Sequence, residues 1–239
     1  SFDISSPDRR NRFNAYASFQ NTARKSYYGS KQDPDAYGTT HDLTVAAGMQ
    51  YIHEFRKLLF MPSELTFGTE YSYDDLGDRS IGYDIHTDQT VHIVGAYLQN
   101  EWKTRKWSLL VGGRLDKHNL VDHVIFSPRV NVRFNPSEAV NLRVSYAGGY
   151  RAPQAFDEDM HIAIVGDVEK GVRIRLADDL REERSHSVSL SADLYHTFGK
   201  VQTNLLVEGF YTILDDVFAL RDMDDAADGG KVKERYNGS

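Results

Sequence analysis

The chain contains no cysteine at all, only 6 proline and 2 tryptophan residues, and no long apolar run in its 239 residues. Without cysteine there are no disulfides, no thiolate catalysis and no cysteine-based zinc site. The longest apolar patch, Leu58-Leu59-Phe60-Met61, is far short of the roughly 18 residues a membrane-spanning helix needs, which excludes a helical membrane protein. A basic excess is missing too. The net charge is -7 and no dense basic patch occurs, which argues against a nucleic-acid partner. No secretion signal opens the chain, so residue 1 is expected to be a mature start or an internal cut.

What the chain does have is tyrosine, phenylalanine and glycine, at 14, 12 and 18 residues, a composition of sheets rather than helix bundles. Residues 141–153 display the pattern most clearly. Leu142, Val144, Tyr146, Gly148 and Tyr150 share one parity; Asn141, Arg143, Ser145, Ala147 and Arg151 share the other. Period two with a single apolar side predicts a strand with different surroundings on its two faces. The same alternation predicts strands at 12–28, 41–54, 64–73, 90–102, 107–116, 126–134, 186–196 and 201–213, with a tenth beginning at 234.

Short connections fall near Leu58, Arg105, Pro136 and Gly199, and long polar ones near Lys31, Asp78, Asp159 and Asp224, with a shorter one near Asn119. In an up-and-down meander the long loops then share one rim and the short turns the other, which is the plan of an outer-membrane barrel. The low average hydropathy is no objection, because such a barrel hides apolar residues at every second position. Arg129, Arg133, Arg143, Asp193, Asn204 and Glu208 lie opposite the apolar parity. An arginine facing lipid at mid-depth costs about 2–4 kcal/mol, so that side is expected to face a wet interior. A soluble β-sandwich also alternates, with its polar side in bulk water, and remains the competing architecture.

Phe126-Ser127-Pro128-Arg129-Val130, together with residues 141–153 ending Tyr146-Ala147-Gly148-Gly149-Tyr150-Arg151-Ala152-Pro153, resembles the barrel of TonB-dependent outer-membrane receptors, with the flavour of the Bacteroides group. The resemblance continues at Asp179-Leu180-Arg181-Glu182-Glu183-Arg184-Ser185 and Glu208-Gly209-Phe210-Tyr211-Thr212. It implies an all-β antiparallel meander of about ten strands, residues 1–239 forming part of a larger barrel of about 22 strands without its plug domain. A piece of that size is expected to close into a smaller barrel, to fold sandwich-like, or to pair along its raw edges.

The resemblance further implies TonB-driven uptake of a scarce nutrient (siderophore, haem, vitamin B12 or oligosaccharide) across the outer membrane of a Gram-negative cell. The partners it implies are membrane lipid, the TonB complex and a small-molecule ligand; no cofactor and no enzymatic activity are implied. A passive porin or a soluble ligand-binding sandwich is the alternative. Tyr146, Gly148, Gly149, Tyr150, Arg151, Ala152 and Pro153 form the motif that ends a strand at a loop base, with strand termination as the plainer role of Pro153 and loop anchoring that of Arg151. Asp157, Glu158, Asp159 and His161, on the long loop, are candidate ligand contacts, although acidic loop runs are usually just solvated. Histidines 53, 92, 118 and 123 have neither triad nor zinc-ligand spacing. Tyrosines 27, 28, 71, 73, 146, 150 and 211, near loop-side strand ends, fit an interfacial girdle as well as ordinary strand packing.

Overall fold

The computed structural model describes residues 1–27, 37–80, 85–154, 173–223 and 232–238. Ten strands form one antiparallel sheet: β1 (Phe2–Ser5), β2 (Asn11–Tyr27), β3 (Tyr37–Leu58), β4 (Met61–Ser80), β5 (Ile85–Lys103), β6 (Trp107–His118), β7 (Val124–Ser137), β8 (Val140–Arg151), β10 (Glu183–Phe198) and β11 (Val201–Asp215). They lie in chain order, with β1 and β11 as the two edges. The sheet is thus an open meander, neither a smaller closed barrel nor a sandwich. A second, three-stranded sheet joins β12 (Val217–Asp222), β13 (Val232–Gly238) and β9 (Arg173–Leu176), with β13 and β9 parallel. The strand expected to begin at 234 therefore exists, but it belongs to this small sheet.

Register keeps the two parities of the sequence on opposite faces. Arg133 lies opposite Arg143, Arg143 opposite Ser191, and Asp193 opposite Leu206. The other face carries Phe67, Leu98, Val111, Val144, Leu190 and Leu205, all large apolar residues left exposed. No sandwich partner covers that face among the described residues. Among the described residues the buried apolar core is correspondingly tiny: a cluster of Val121, Ile125 and Ala152 with Tyr150 packed against it, and Val91 and Ala177 outside that cluster. A water-soluble domain of this size would bury far more, whereas a membrane wall gives its apolar face to lipid.

Of two tight turns with left-handed residues, only the first follows directly from residue type. Gly199 takes φ 62° in the two-residue turn between β10 and β11, the left-handed conformation such hairpins require. Leu59 takes φ 61° between β3 and β4, and the next residue, Phe60, stacks on Trp102 at 5.5 Å between ring centroids.

One expectation is corrected. The acidic stretch after residue 73 is not all loop: β4 and β5 stay paired from Ser63–Trp102 up to Ser80–Ile85. Alternation fades there because both faces are polar, yet cross-strand side chains hold the ladder. Thr40 Oγ1 donates to Asp78 at 2.5 Å, Thr44 Oγ1 to Asp74 at 3.2 Å, and Thr90 Oγ1 to Asp75 at 2.8 Å. Likewise residues 214–232, expected as loop, contain β12.

Candidate functional site

Three layers make up the candidate site: an apolar band, a polar wall behind it, and a loop base at one rim. Aromatic pairs bound the band on both sides. At the turn rim Trp107 stacks on Phe134 (4.1 Å), His53 meets Phe55 (4.4 Å) and His196 meets Phe198 (4.3 Å). At the loop rim Tyr73 and His92 lie 5.0 Å apart, and Tyr146 stacks on His186 at 6.2 Å. From His92 to Trp102, β5 climbs about 33 Å along its own axis, or about 25 Å at the tilt usual in barrels, which is the height of an outer-membrane apolar band.

On the polar wall, charges are tied into cross-strand networks. Arg12 Nη2 lies 3.3 Å from Glu54 and 2.7 Å from Glu64, and Lys103 lies 3.6 Å from Glu64. Arg114 pairs with Asp116 at 2.8 Å and Glu70 at 3.2 Å, and Glu70 also accepts from the Tyr16 hydroxyl. Glu70, Arg114, Asp116, Gly149 and Tyr150 line a shared cavity of about 490 Å³.

The loop base is built from the predicted motif. Tyr146 is on the apolar face, its hydroxyl 2.8 Å from His186 Nδ1. Gly148 lets β8 approach Pro128, where a Cβ would sit 2.8 Å from Cδ, and a Cβ on Gly149 would sit 2.8 Å from Ser185 Oγ. Tyr150 departs from its parity. The β7–β8 ladder stops at Arg129–Ala147, and Tyr150 packs with Val121, Ile125 and Ala152 rather than in an exterior girdle. Arg151 lies 3.8 Å from Glu183, and its guanidinium sits 5.9 Å from the Phe218 ring centroid. Ala152 and Pro153 are buried. Asp157, Glu158, Asp159 and His161 lie outside the described residues, as does Tyr28.

The small sheet docks on this base through contacts that strand periodicity did not reveal. The Phe218 amide donates to Glu183, Asn237 Nδ2 donates to the Arg181 carbonyl at 3.0 Å, and Arg235 Nη1 donates to the Gln154 carbonyl at 3.3 Å. The one available signal was the apolar run Val217-Phe218-Ala219-Leu220 inside an acidic region. Among the described residues, no group of three or more His, Asp or Glu side chains is placed to hold a metal ion.

Glu182 is the best-defined charged node outside the strands. Its side chain is only 3% exposed, and it accepts from Arg184 at 2.8 Å with His123 Nε2 at 3.0 Å. Burial pushes its pKa up, but the Arg184 hydrogen bond, its own backbone and His123 outweigh that and hold it below the ordinary 4.5. Glu182→Gln is therefore expected to loosen the loop base by about 1–2 kcal/mol, a charged hydrogen bond discounted for the half-exposed Arg184. The wild-type contribution is complete above about pH 4.5 and is lost as pH falls through the lower folded value. Hydrogen exchange at the start of β10 checks this; unchanged protection in the variant at neutral pH would refute it.

A wall with an apolar band on one face, a charged network on the other and a loop base at one rim defines a segment of a transmembrane β-barrel. The family model for TonB dependent receptor-like β-barrels matches residues 1–237, and the chain belongs to that family. No curated protein matches it. Among solved structures it is similar to the siderophore receptor PirA from Pseudomonas aeruginosa, at 14% identity and TM-score 0.64, covering 96% of this chain and 45% of that one. A ferric enterobactin receptor (PfeA) variant from the same organism matches at 16% identity and TM-score 0.68, covering 95% and 37%. The FrpB iron transporter from Neisseria meningitidis matches at 16% and 0.62, covering 98% and 37%. The chain thus spans less than half the length of these structures.

Proposed function

We propose that residues 1–239 form part of the barrel wall of a receptor that carries a scarce nutrient across the outer membrane of a Gram-negative cell, driven by TonB. The observation that carries this reading is the exposed apolar band of about 25 Å between two aromatic rims, backed by a charged inner face. Receptors and transporters of siderophores and iron recur among the similar structures, which favours an iron–siderophore complex as the nutrient. In this reading the partners are lipid on the apolar face, the TonB complex and a small-molecule ligand. Arg151, Ala152 and Pro153 anchor the base of the capturing loop, and Asp157, Glu158, Asp159 and His161 contact ligand from it.

The test is uptake of radiolabelled ferric siderophores by cells expressing the full-length receptor, with and without a working TonB. Uptake and outer-membrane fractionation that both require the receptor, with uptake lost when TonB is removed, are the expected results. Uptake unaffected by TonB would instead mean a passive porin, and recovery without detergent would overturn the membrane assignment.

A further inference from the structure

Beyond the rim marked by Tyr73 and His92, strands β2–β5 continue outward, and the face that is apolar below changes chemistry. Two cross-strand rows past Tyr73, His41 lies opposite Gly77; one row further, Lys25 and Arg79 flank Thr39 from the two neighbouring strands. Gly77 has no side chain, and with Ala23 and Thr39 it floors a hollow of about 590 Å³ edged by Lys25, His41, Arg79 and Asp88. The three basic side chains are exposed, and among the described residues no hydrogen bond or ion pair reaches them. The polar face at the same height is already satisfied: Arg24 donates to Thr40 at 3.3 Å, and Thr40 donates to Asp78 at 2.5 Å. Just past the hollow on the same face, Tyr27 and Tyr37 lie opposite each other, 41% and 53% exposed, with ring centroids 4.9 Å apart.

We propose that Lys25, Thr39, His41 and Arg79 bind the phosphorylated sugar headgroup of an outer-leaflet glycolipid, with Tyr27 and Tyr37 as the platform for its sugar rings. The site rests on the reading given above, in which the apolar band lies in the outer membrane with the loop rim outward. Height selects the kind of lipid. From Tyr73, β4 rises about 13 Å along its axis to Gly77 and about 20 Å to Arg79, or about 10 and 15 Å at the usual barrel tilt. A phospholipid headgroup layer is only about 5–8 Å deep on each side of a bilayer, so the hollow stands above it, within reach of a lipid that carries several sugars. Charge selects the phosphate. Lys25 and Arg79 are two strand spacings apart, about 10 Å, so a phosphate seated over the Thr39 hydroxyl meets an ammonium on one side and a guanidinium fork on the other. The exposed tyrosines offer flat apolar faces with polar tips, which suit sugar rings. Asp88, the carboxylate at the edge of the hollow, lies opposite Gly77, one row below Arg79, where it can accept from sugar hydroxyls. A free anion would be held only weakly in so open a hollow, whereas a headgroup anchored in the adjoining leaflet is present at high effective concentration.

The experiment titrates the detergent-solubilised, lipid-stripped full-length receptor and follows bound lipid by native mass spectrometry. The probes are lipopolysaccharide with phosphorylated core sugars, the same lipid after removal of its core phosphate, and phosphatidylglycerol, with inorganic phosphate as competitor. The phosphorylated glycolipid is expected to bind in preference to the other two lipids and to resist an equimolar amount of inorganic phosphate. K25E/R79E should weaken it at least about tenfold and K25R/R79K should largely preserve it, while K106E/K200E, the same charge change at exposed positions on the turn rim, should leave it unchanged. Gly77→Leu fills the hollow without altering charge and should also weaken binding; its Cβ would meet only the end of the Asp88 side chain at 3.3 Å, so the strand tolerates it. If K25E/R79E does not reach the membrane, Arg79→Gln alone should still weaken binding about threefold. Equal binding of the dephosphorylated lipid or of phosphatidylglycerol, displacement by equimolar inorganic phosphate, or an affinity indifferent to K25E/R79E would overturn the proposal. TonB-driven uptake by a receptor that binds no glycolipid contradicts this site alone, whereas glycolipid binding with uptake indifferent to TonB contradicts the functional reading alone.

Discussion

Leu205→Arg in the full-length receptor is expected to lower stability by about 2–4 kcal/mol, while Leu206→Arg, one residue further on, costs less than about 1 kcal/mol. The two leucines make an unusually clean pair. They are neighbours on β11 and almost equally exposed, at 58% and 57%, so burial in the isolated wall cannot separate them. Only the face does. Leu205 lies opposite Leu194 on the apolar side, near the middle of the band. Leu206 lies opposite Asp193 on the polar side. An arginine at 205 meets hydrocarbon; at 206 it meets water and a carboxylate. Reversible unfolding of the receptor in lipid vesicles, followed by tryptophan fluorescence or by heat-modifiable gel mobility, measures both variants. Equal effects would mean that the two faces do not separate lipid from water, and the barrel reading would fall with them.

That face assignment was readable from sequence alone because alternation is a local signal wherever the two sides of a strand meet different solvents. Leu142, Val144 and Tyr146 could be placed against Arg143 and Ser145 without any structure, and the register bears this out. The signal fades where both faces are wet. Asp74, Asp75 and Asp78 read as loop, yet they sit in a paired ladder, since side-chain hydrogen bonds from Thr40, Thr44 and Thr90 stabilise strands without leaving a periodic trace. It also fades where contacts are made between distant segments. Nothing near Phe218 in sequence announces Glu183 or Arg151 as its neighbours, 35 residues away in the first case. Tyr150 fails for a related reason: its parity assigns it to the exterior, but the β7–β8 ladder has already ended and the ring packs with Ile125. The motif 146–153 was therefore legible as a loop base, while what it holds was not.

Gly112→Ala should destabilise the receptor by about 1–3 kcal/mol, the range for overpacking a tightly packed site, and Gly209→Ala should be close to neutral. Both glycines are in strands and neither needs a left-handed backbone, so strand propensity alone would favour alanine at each. The difference is the room available. A Cβ at Gly112 would stand 2.5 Å from Gln99 Cβ, 3.0 Å from Gln99 Cα and 3.0 Å from the Leu98 carbonyl oxygen. Two of those atoms are backbone, so no rotamer change relieves the clash, and β5 and β6 must move apart. At Gly209 nothing lies within 4 Å of the added carbon. Moving β5 from β6 also disturbs Tyr97 and Arg114, which are directly opposite in register and whose side chains belong to the Gln50 and Glu70 networks. The cost at Gly112 thus reaches the charged wall as well as the ladder. Thermal melts of the two variants in the same detergent decide it. A Gly112→Ala receptor as stable as Gly209→Ala would mean that the strands part easily at this point, and that the glycine reflects composition rather than close approach.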